Sequence, residues 1–160
     1  MTEKTFTVNT IGYIHAGENG FSLEIAPEYR AALTEIQQFR HLQVLWWCHL
    51  YDEHREILEC DQPYQKAPAK MGIFATRSPL RPNPIALTTV EVLSVDAAQG
   101  VIYLTGIDAE DGTPILDIKP YYPCEDRVRD VTMPTWCADW PAWLEDSATF
   151  DWSAVFVNAH

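Results

Sequence analysis

At 160 residues, with 47% hydrophobic and 21% charged side chains, the chain is long enough to bury a core of its own and has none of the composition of a disordered segment. Eleven Lys and Arg stand against 23 Asp and Glu, a net charge of −12 that argues against a generally basic nucleic-acid binder; any polyanion needs a local basic patch. No apolar run approaches the roughly 20 residues that span a bilayer, the opening Met1-Thr2-Glu3-Lys4-Thr5 lacks a signal peptide's apolar stretch, and Cys48, Cys60, Cys124 and Cys137 form no CxxC pair, so a soluble, reduced, cytoplasmic protein is expected.

Phe6 to Ile14 alternates apolar and polar residues and predicts a half-buried strand; Phe21, Leu23 and Ile25 repeat the pattern after the turn signal Gly17-Glu18-Asn19-Gly20. Pro27 suits the first turn of a helix carrying Tyr29, Ala32, Leu33 and Ile36. Gln43 to His49 is rich in aromatic and branched residues and predicts a central strand buried on both faces, with Cys48 as a buried structural thiol. From Asp52 to Lys70 charges, Pro63 and Pro68 predict a long surface loop. Gly72-Ile73-Phe74-Ala75 is short and strand-like. Ala86 to Val95 and Val101 to Ile107 predict a hairpin around Asp96-Ala97-Ala98-Gln99-Gly100, and Ile115 to Ile118 returns as a strand after Asp111-Gly112. Trp136, Trp140, Trp143 and Leu144 are spaced to give one apolar face on a short helix or helical turn, expected to begin near Asp139 because Pro141 forbids a continuous helix through the stretch. Many short strands and few helices make the chain mainly β, a barrel or rolled sheet.

Two segments carry the chemical signal. In Gly72-Ile-Phe-Ala-Thr-Arg77-Ser78-Pro79-Leu80-Arg81-Pro82-Asn83-Pro84-Ile85, three prolines in six residues remove three donors and push Ser78, Arg81 and Asn83 to extended conformations. The stiff arch presents Arg77 and Arg81, whose forks suit carboxylate or phosphate oxygens; equally, they can pair with acidic groups of the surface. In Asp111-Gly-Thr-Pro-Ile-Leu116-Asp117-Ile118-Lys119-Pro120-Tyr121-Tyr122-Pro123, alternation turns Asp117 away from Leu116 and Ile118. A carboxylate there either holds Lys119 or an arginine, or faces a pocket and accepts from a ribose or an amine. Asp108, Glu110 and Asp111 are turn residues. His49 closes the aromatic strand, and with His15, His41, His54 and His160 it makes no metal-ligand spacing, so no metal is expected. No GxGxxG, Walker A loop or GxSxG elbow is present.

The blocks GIFATRSPLRPNPIAL and DGTPILDIKPYYP, within a match from about Ile11 to Pro123, resemble the TrmO/TsaA-like family of tRNA adenine-N6 methyltransferases. The resemblance implies a single-sheeted β-barrel with a few short helices, one TsaA-like domain over residues 1–160 ending in a Trp-rich tail (134–160). It also implies S-adenosylmethionine as cofactor and a homodimer with the cofactor near the subunit interface. His49 and Leu50 match a cofactor-contacting segment, Arg77, Ser78 and Arg81 the family's Arg-Ser-x-x-Arg-Pro-Asn-Pro motif, and Leu87 an apolar position beyond it. Leu116, Asp117 and Ile118 match the strand along the cofactor. The chain departs from the family in lacking the Pro-Arg-Gln insertion near the N-terminus, in Leu50 where glutamine is frequent, and in having no extended C-terminal domain. Asp117 and Tyr121 are the candidates for orienting the amine or accepting its proton. The activity implied is methyl transfer to adenine N6 of tRNA beside the anticodon. A small-molecule methyltransferase of the same fold, which the acidic surface favours, and a non-catalytic S-adenosylmethionine-binding module are the alternatives.

Overall fold

A computed structural model describes residues 4–158, so Met1–Glu3, Ala159 and the His160 named above lie outside the described residues. The chain forms two compact units: the residues up to Asp52 together with Pro84–Arg127, and Glu53–Asn83 together with the chain from Val128 onward.

The first unit is a closed antiparallel barrel. Its strands are β1 (Gly12–Gly17), β2 (Gly20–Ile25), β3 (His41–Trp47), β6 (Ile85–Asp96), β7 (Val101–Leu104) and β8 (Thr113–Pro120), in the order β1-β2-β7-β6-β3-β8 with β8 closing on β1. Strands β4 (Glu59–Asp61) and β5 (Lys70–Gly72) belong to the second unit. Alternate side chains fill the interior: Ile14, Leu23, Leu42, Val44, Val90, Ile102, Leu104 and Ile115 are all but inaccessible. Each contributes about 1.5–3 kcal/mol by leaving water, and closure leaves no unpaired edge. The expected mainly-β barrel with a few short helices is what forms.

Several local expectations are corrected. The strand predicted from Phe6 starts only at Gly12; Ile11 before it still donates its N–H to Ile115 O (2.8 Å), and Phe6 is exposed. The predicted helix after Pro27 is two 3-10 turns, Pro27–Leu33 and Ile36–Gln38, because Glu35 between them takes a left-handed φ of 69° that no helix continues through. The strand expected to be buried on both faces buries only alternate residues, Leu42 and Val44, since the outside of a barrel wall has nothing packed over Leu45 to the same degree. It also ends at Trp47, leaving His49 and Leu50 in the following turn. The hairpin forms as β6 and β7, its corner held by Gly100 at φ 75° and by the Gln99 N–H donating to Asp96 Oδ1 at 3.0 Å.

In the second unit the predicted loop contains β4 (Glu59–Asp61), paired with β5 (Lys70–Gly72), and Ile73–Ala75 is a 3-10 turn rather than a strand. No helix starts near Asp139. The tail instead makes 3-10 turns at Thr135–Cys137 and Trp152–Ala154 around a single α-turn, Leu144–Ser147. Aromatic packing overrides helical spacing here. Tyr64 stacks on Trp136 (centroids 5.4 Å) and meets Trp140 edge-on (5.0 Å), and Trp140 meets Trp152 (5.4 Å), while Trp143 and Leu144 stay exposed. Gln65 N–H donates to Val155 O and Val157 N–H to Pro63 O, tying the end of the tail to the segment around Tyr64.

Two outcomes are expected. A Cβ at Gly12 would lie 2.1 Å from the Glu24 carbonyl oxygen, which is backbone and cannot turn aside. Gly12→Ala should therefore destabilise the barrel by about 1–3 kcal/mol or more, read by denaturant unfolding. Burial pushes the Tyr64 hydroxyl above its ordinary value of 10.0. The protonated form is thus favoured in the folded state, and the stability it contributes is complete below pH 10 and lost as pH rises beyond it. Melting curves from pH 8 upward should show that loss, and Tyr64→Phe should flatten it.

Candidate functional site

The outer wall of the barrel over β6, β3 and β8 brings together residues far apart in sequence. Leu45 is the register partner of Leu87 on one side and of Asp117 on the other, giving a row Leu87–Leu45–Asp117 across three strands. Leu42, Val44 and Trp46 face inward, so Leu45 and Trp47 face out. The register slips between Leu45 and Trp46: Asp117 opposes Leu45, Ile115 opposes Trp46, and Leu116 is the extra residue of a β-bulge. Ile115 and Ile118 both turn to the core, with Leu116 and Asp117 between them. Strict alternation, which sets Leu116 and Ile118 on one face against Asp117, is therefore corrected by the bulge. Asp117 is half-exposed rather than buried: Oδ2 lies 2.7 Å from Lys119 Nζ, and Oδ1 accepts the Ile118 N–H at 2.9 Å. The hydrogen bond and charge of Asp117 hold the Lys119 ammonium above its ordinary pKa of 10.5.

The other predicted barrel residues flank this row. His49 Nδ1 lies 3.3 Å from the buried Thr113 hydroxyl, at the N-terminal end of β8. Leu50 is exposed beside it. Near the same end Trp46 Nε1 donates to Thr88 Oγ1 (3.1 Å), whose hydroxyl donates to Asp108 Oδ1 (2.6 Å), so Asp108, read as a turn residue, also fixes an inward-facing pair. Tyr121 follows the other end of β8, its N–H bonded to His41 O and its ring edge-on to His41. Four residues at roughly 3.3 Å each separate Asp117 from Tyr121 by about 13 Å, so they do not meet at one point.

In the second unit the proline-rich segment is an arch braced by its own side chains. Thr76 Oγ1 donates to Ile73 O and receives the Ser78 N–H; Ser78 Oγ receives the Leu80 N–H. Arg81 Nη2 donates to Ile73 O (3.0 Å) and Thr76 O (2.8 Å), and its Nε is buried with no hydrogen-bond partner. Arg55, which the sequence hides in a charged loop, donates to Pro82 O (2.7 Å) and Asn83 Oδ1 (3.1 Å). Arg77 is exposed on the arch. Among the described residues no three His, Cys, Asp or Glu gather as metal ligands, and no helix is long and apolar enough to cross a membrane.

The profile of the tRNA-methyltransferase O N-terminal domain matches residues 13–127. The chain belongs to this family. A probable S-adenosyl-L-methionine-binding protein of Methanothermobacter thermautotrophicus is 42% identical over 100 residues, covering 62% of this chain and 68% of that protein. The human tRNA (adenine(37)-N6)-methyltransferase is 42% identical over 108 residues, 68% of this chain but only 23% of the human one. The crystal structure of TrmO from Pseudomonas aeruginosa superposes with a TM-score of 0.62 at 31% identity, covering 81% of this chain and 62% of that chain. The chain thus spans a quarter to two thirds of these three relatives.

Of the residues named from the sequence, Leu87 and Asp117 fall in one row of this TrmO-type barrel and Leu116 is the bulge residue beside it. Their neighbours Leu45 and Trp47 are concealed by a strand read as buried on both faces, and no sequence signal marks Arg55, which braces the arch. Because Arg81 is spent on two carbonyls, Arg81→Ala should lower the melting temperature: each hydrogen bond from a charged donor is worth about 1.5–3 kcal/mol. Thermal melting of the variant checks this.

Proposed function

We propose that the protein is an S-adenosylmethionine-dependent methyltransferase acting on the N6 amine of the adenine beside the anticodon of tRNA. The observation that carries this is the Leu87–Leu45–Asp117 row in a TrmO-type barrel. Its donor set fits the cofactor: Leu87, Leu45 and Leu116 with the Trp47 ring offer an apolar surface for an adenine, and Asp117 offers oxygens to a ribose or an amine. Trp47 is itself held by Nε1 donating to Asp52 Oδ2 at 3.0 Å. His49 and Leu50 follow β3 in the turn at the end of this wall, whereas Ile118 faces the core and enters only through the family motif. Arg77 and Ser78 enter the proposal through the family motif, and Arg77 is tested separately.

When bound, the cofactor supplies an electrophilic methyl group. The residues supply the rest. An exocyclic amine is a weak nucleophile because its lone pair is delocalised into the ring, so most of the gain must come from holding it in line. Asp117 suits orientation better than proton uptake, because both of its oxygens are already engaged, by Lys119 and by Ile118 N–H. Tyr121, a strand's half-length away, presents a hydroxyl for the base or the ribose rather than for the reacting nitrogen. The net charge of −12 supports one second reading, a small-molecule substrate. We include a closed two-fold homodimer and a cytoplasmic location in the proposal.

Calorimetry with S-adenosylmethionine and S-adenosylhomocysteine should give saturable heat; silence with both at concentrations on the order of millimolar ends the proposal. Arg77→Ala should weaken binding roughly tenfold to a hundredfold without changing the melting temperature. Early melting with normal affinity makes Arg77 a strut instead. Methyl transfer to tRNA isolated from a deletion strain should be detectable, and tRNA affinity should fall as salt rises. No transfer and a flat salt response move the substrate to a small molecule. A single sedimenting species near 18.2 kDa removes the dimer.

A further inference from the structure

We infer that the aromatic cluster of the second unit is a binding site for an alkylated ammonium group. A cavity of about 290 Å³ opens there, its lining including the rings of Tyr64, Trp136, Trp140 and Phe150 and the charged groups Lys66, Asp139 and Asp151. Most of it lies beyond residue 127, where the family match stops, so the family does not account for it. Its size is at the lower limit of small-ligand pockets, which run from about 300 Å³.

The chemistry of the lining selects the ligand. Four aromatic rings make a surface that is apolar yet carries negative potential on the ring faces, the combination that attracts a poorly hydrated cation. A strongly hydrated ion such as sodium gains little from indole, and an anion is repelled by the Asp151 carboxylate. Asp139 is already neutralised by Lys66, whose Nζ lies 2.6 Å from Oδ2. Asp151 has no cationic partner among the described residues; its Oδ1 accepts the Ser153 hydroxyl (2.6 Å) and the Ala154 N–H (3.4 Å), and the Ser153 backbone N–H also bonds the carboxylate. The same Ser153 hydroxyl bond holds the Asp151 carboxyl below the usual carboxylate range, so it is ionised at neutral pH. The cavity is therefore one positive charge short, and its walls favour a charge wrapped in methyl groups. A trimethylammonium headgroup meets both requirements, whether free or carried on a modified lysine side chain.

The rings are rigidly supported. Trp152 Nε1 donates to Ser147 O at 3.0 Å, and Tyr64 forms a β-bridge to Phe156. A ligand need not organise them, which lowers the entropic cost of binding.

Choline and its uncharged isostere 3,3-dimethylbutanol separate charge from shape. Titrated against the intact chain and followed by tryptophan fluorescence, choline should bind with a dissociation constant on the order of millimolar, and the isostere at least about tenfold more weakly. Asp151→Asn preserves the acceptor for Ala154 N–H, so folding is unchanged by circular dichroism; choline affinity should fall about tenfold while S-adenosylmethionine affinity stays the same. A trimethyllysine peptide that binds more tightly than choline assigns the headgroup to a side chain; equal or weaker binding assigns it to a free small molecule. Equal affinity for choline and its isostere, no binding of either, or an Asp151→Asn variant with full choline affinity each overturns the proposal.

Discussion

Closing six strands into one wall is the constraint on which the rest depends. With no free edge, every strand has one face committed to a narrow interior, and the aliphatic set Ile14, Leu23, Leu42, Val44, Val90, Ile102, Leu104 and Ile115 fills it completely. Nothing larger than a side chain fits inside a six-stranded barrel so packed. Room for a ligand is thereby left to the outside of the wall and to the turns at its ends, where the candidates Leu45, Leu87, Asp117 and His49 are found. The interior specifies the fold and the exterior carries what differs between molecules of the same fold.

The second unit achieves rigidity by different means. Among its described residues the paired strands, β4 and β5, are three residues long, and its stability rests on prolines, arginine-to-carbonyl bonds and stacked aromatic rings. Three prolines limit the backbone of the arch before any contact forms, and Arg55 and Arg81 then satisfy its carbonyls. An arginine used in this way loses its freedom to recognise an external anion. Of the two arginines that the sequence offers on the arch, Arg81 is part of the scaffold and Arg77 stands exposed.

The barrel was legible because period-2 patterns, the Gly100 corner and two uncommon sequence blocks all point to it. What was not legible has identifiable causes. Leu45 and Trp47 sit in a continuous apolar run, and a run of that kind does not distinguish a strand buried on both faces from one whose outer face is only half-covered. The bulge at Leu116 is a register shift between strands about 70 residues apart, and no local signal records it. The tail was misread because spacing at Trp136, Trp140 and Trp143 imitates a helix; the side chains are gathered instead by Tyr64, which lies some 70 residues earlier in the chain.

The extra residue at the bulge lets the wall present two neighbouring outward side chains, Leu116 and Asp117, in the length that normally holds one, while Ile115 and Ile118 keep the interior unbroken on either side. Inheritance of the two layers is thereby uncoupled. Substitutions at the outward pair change the surface the wall presents and leave the packing of the barrel untouched, so the two layers can vary independently.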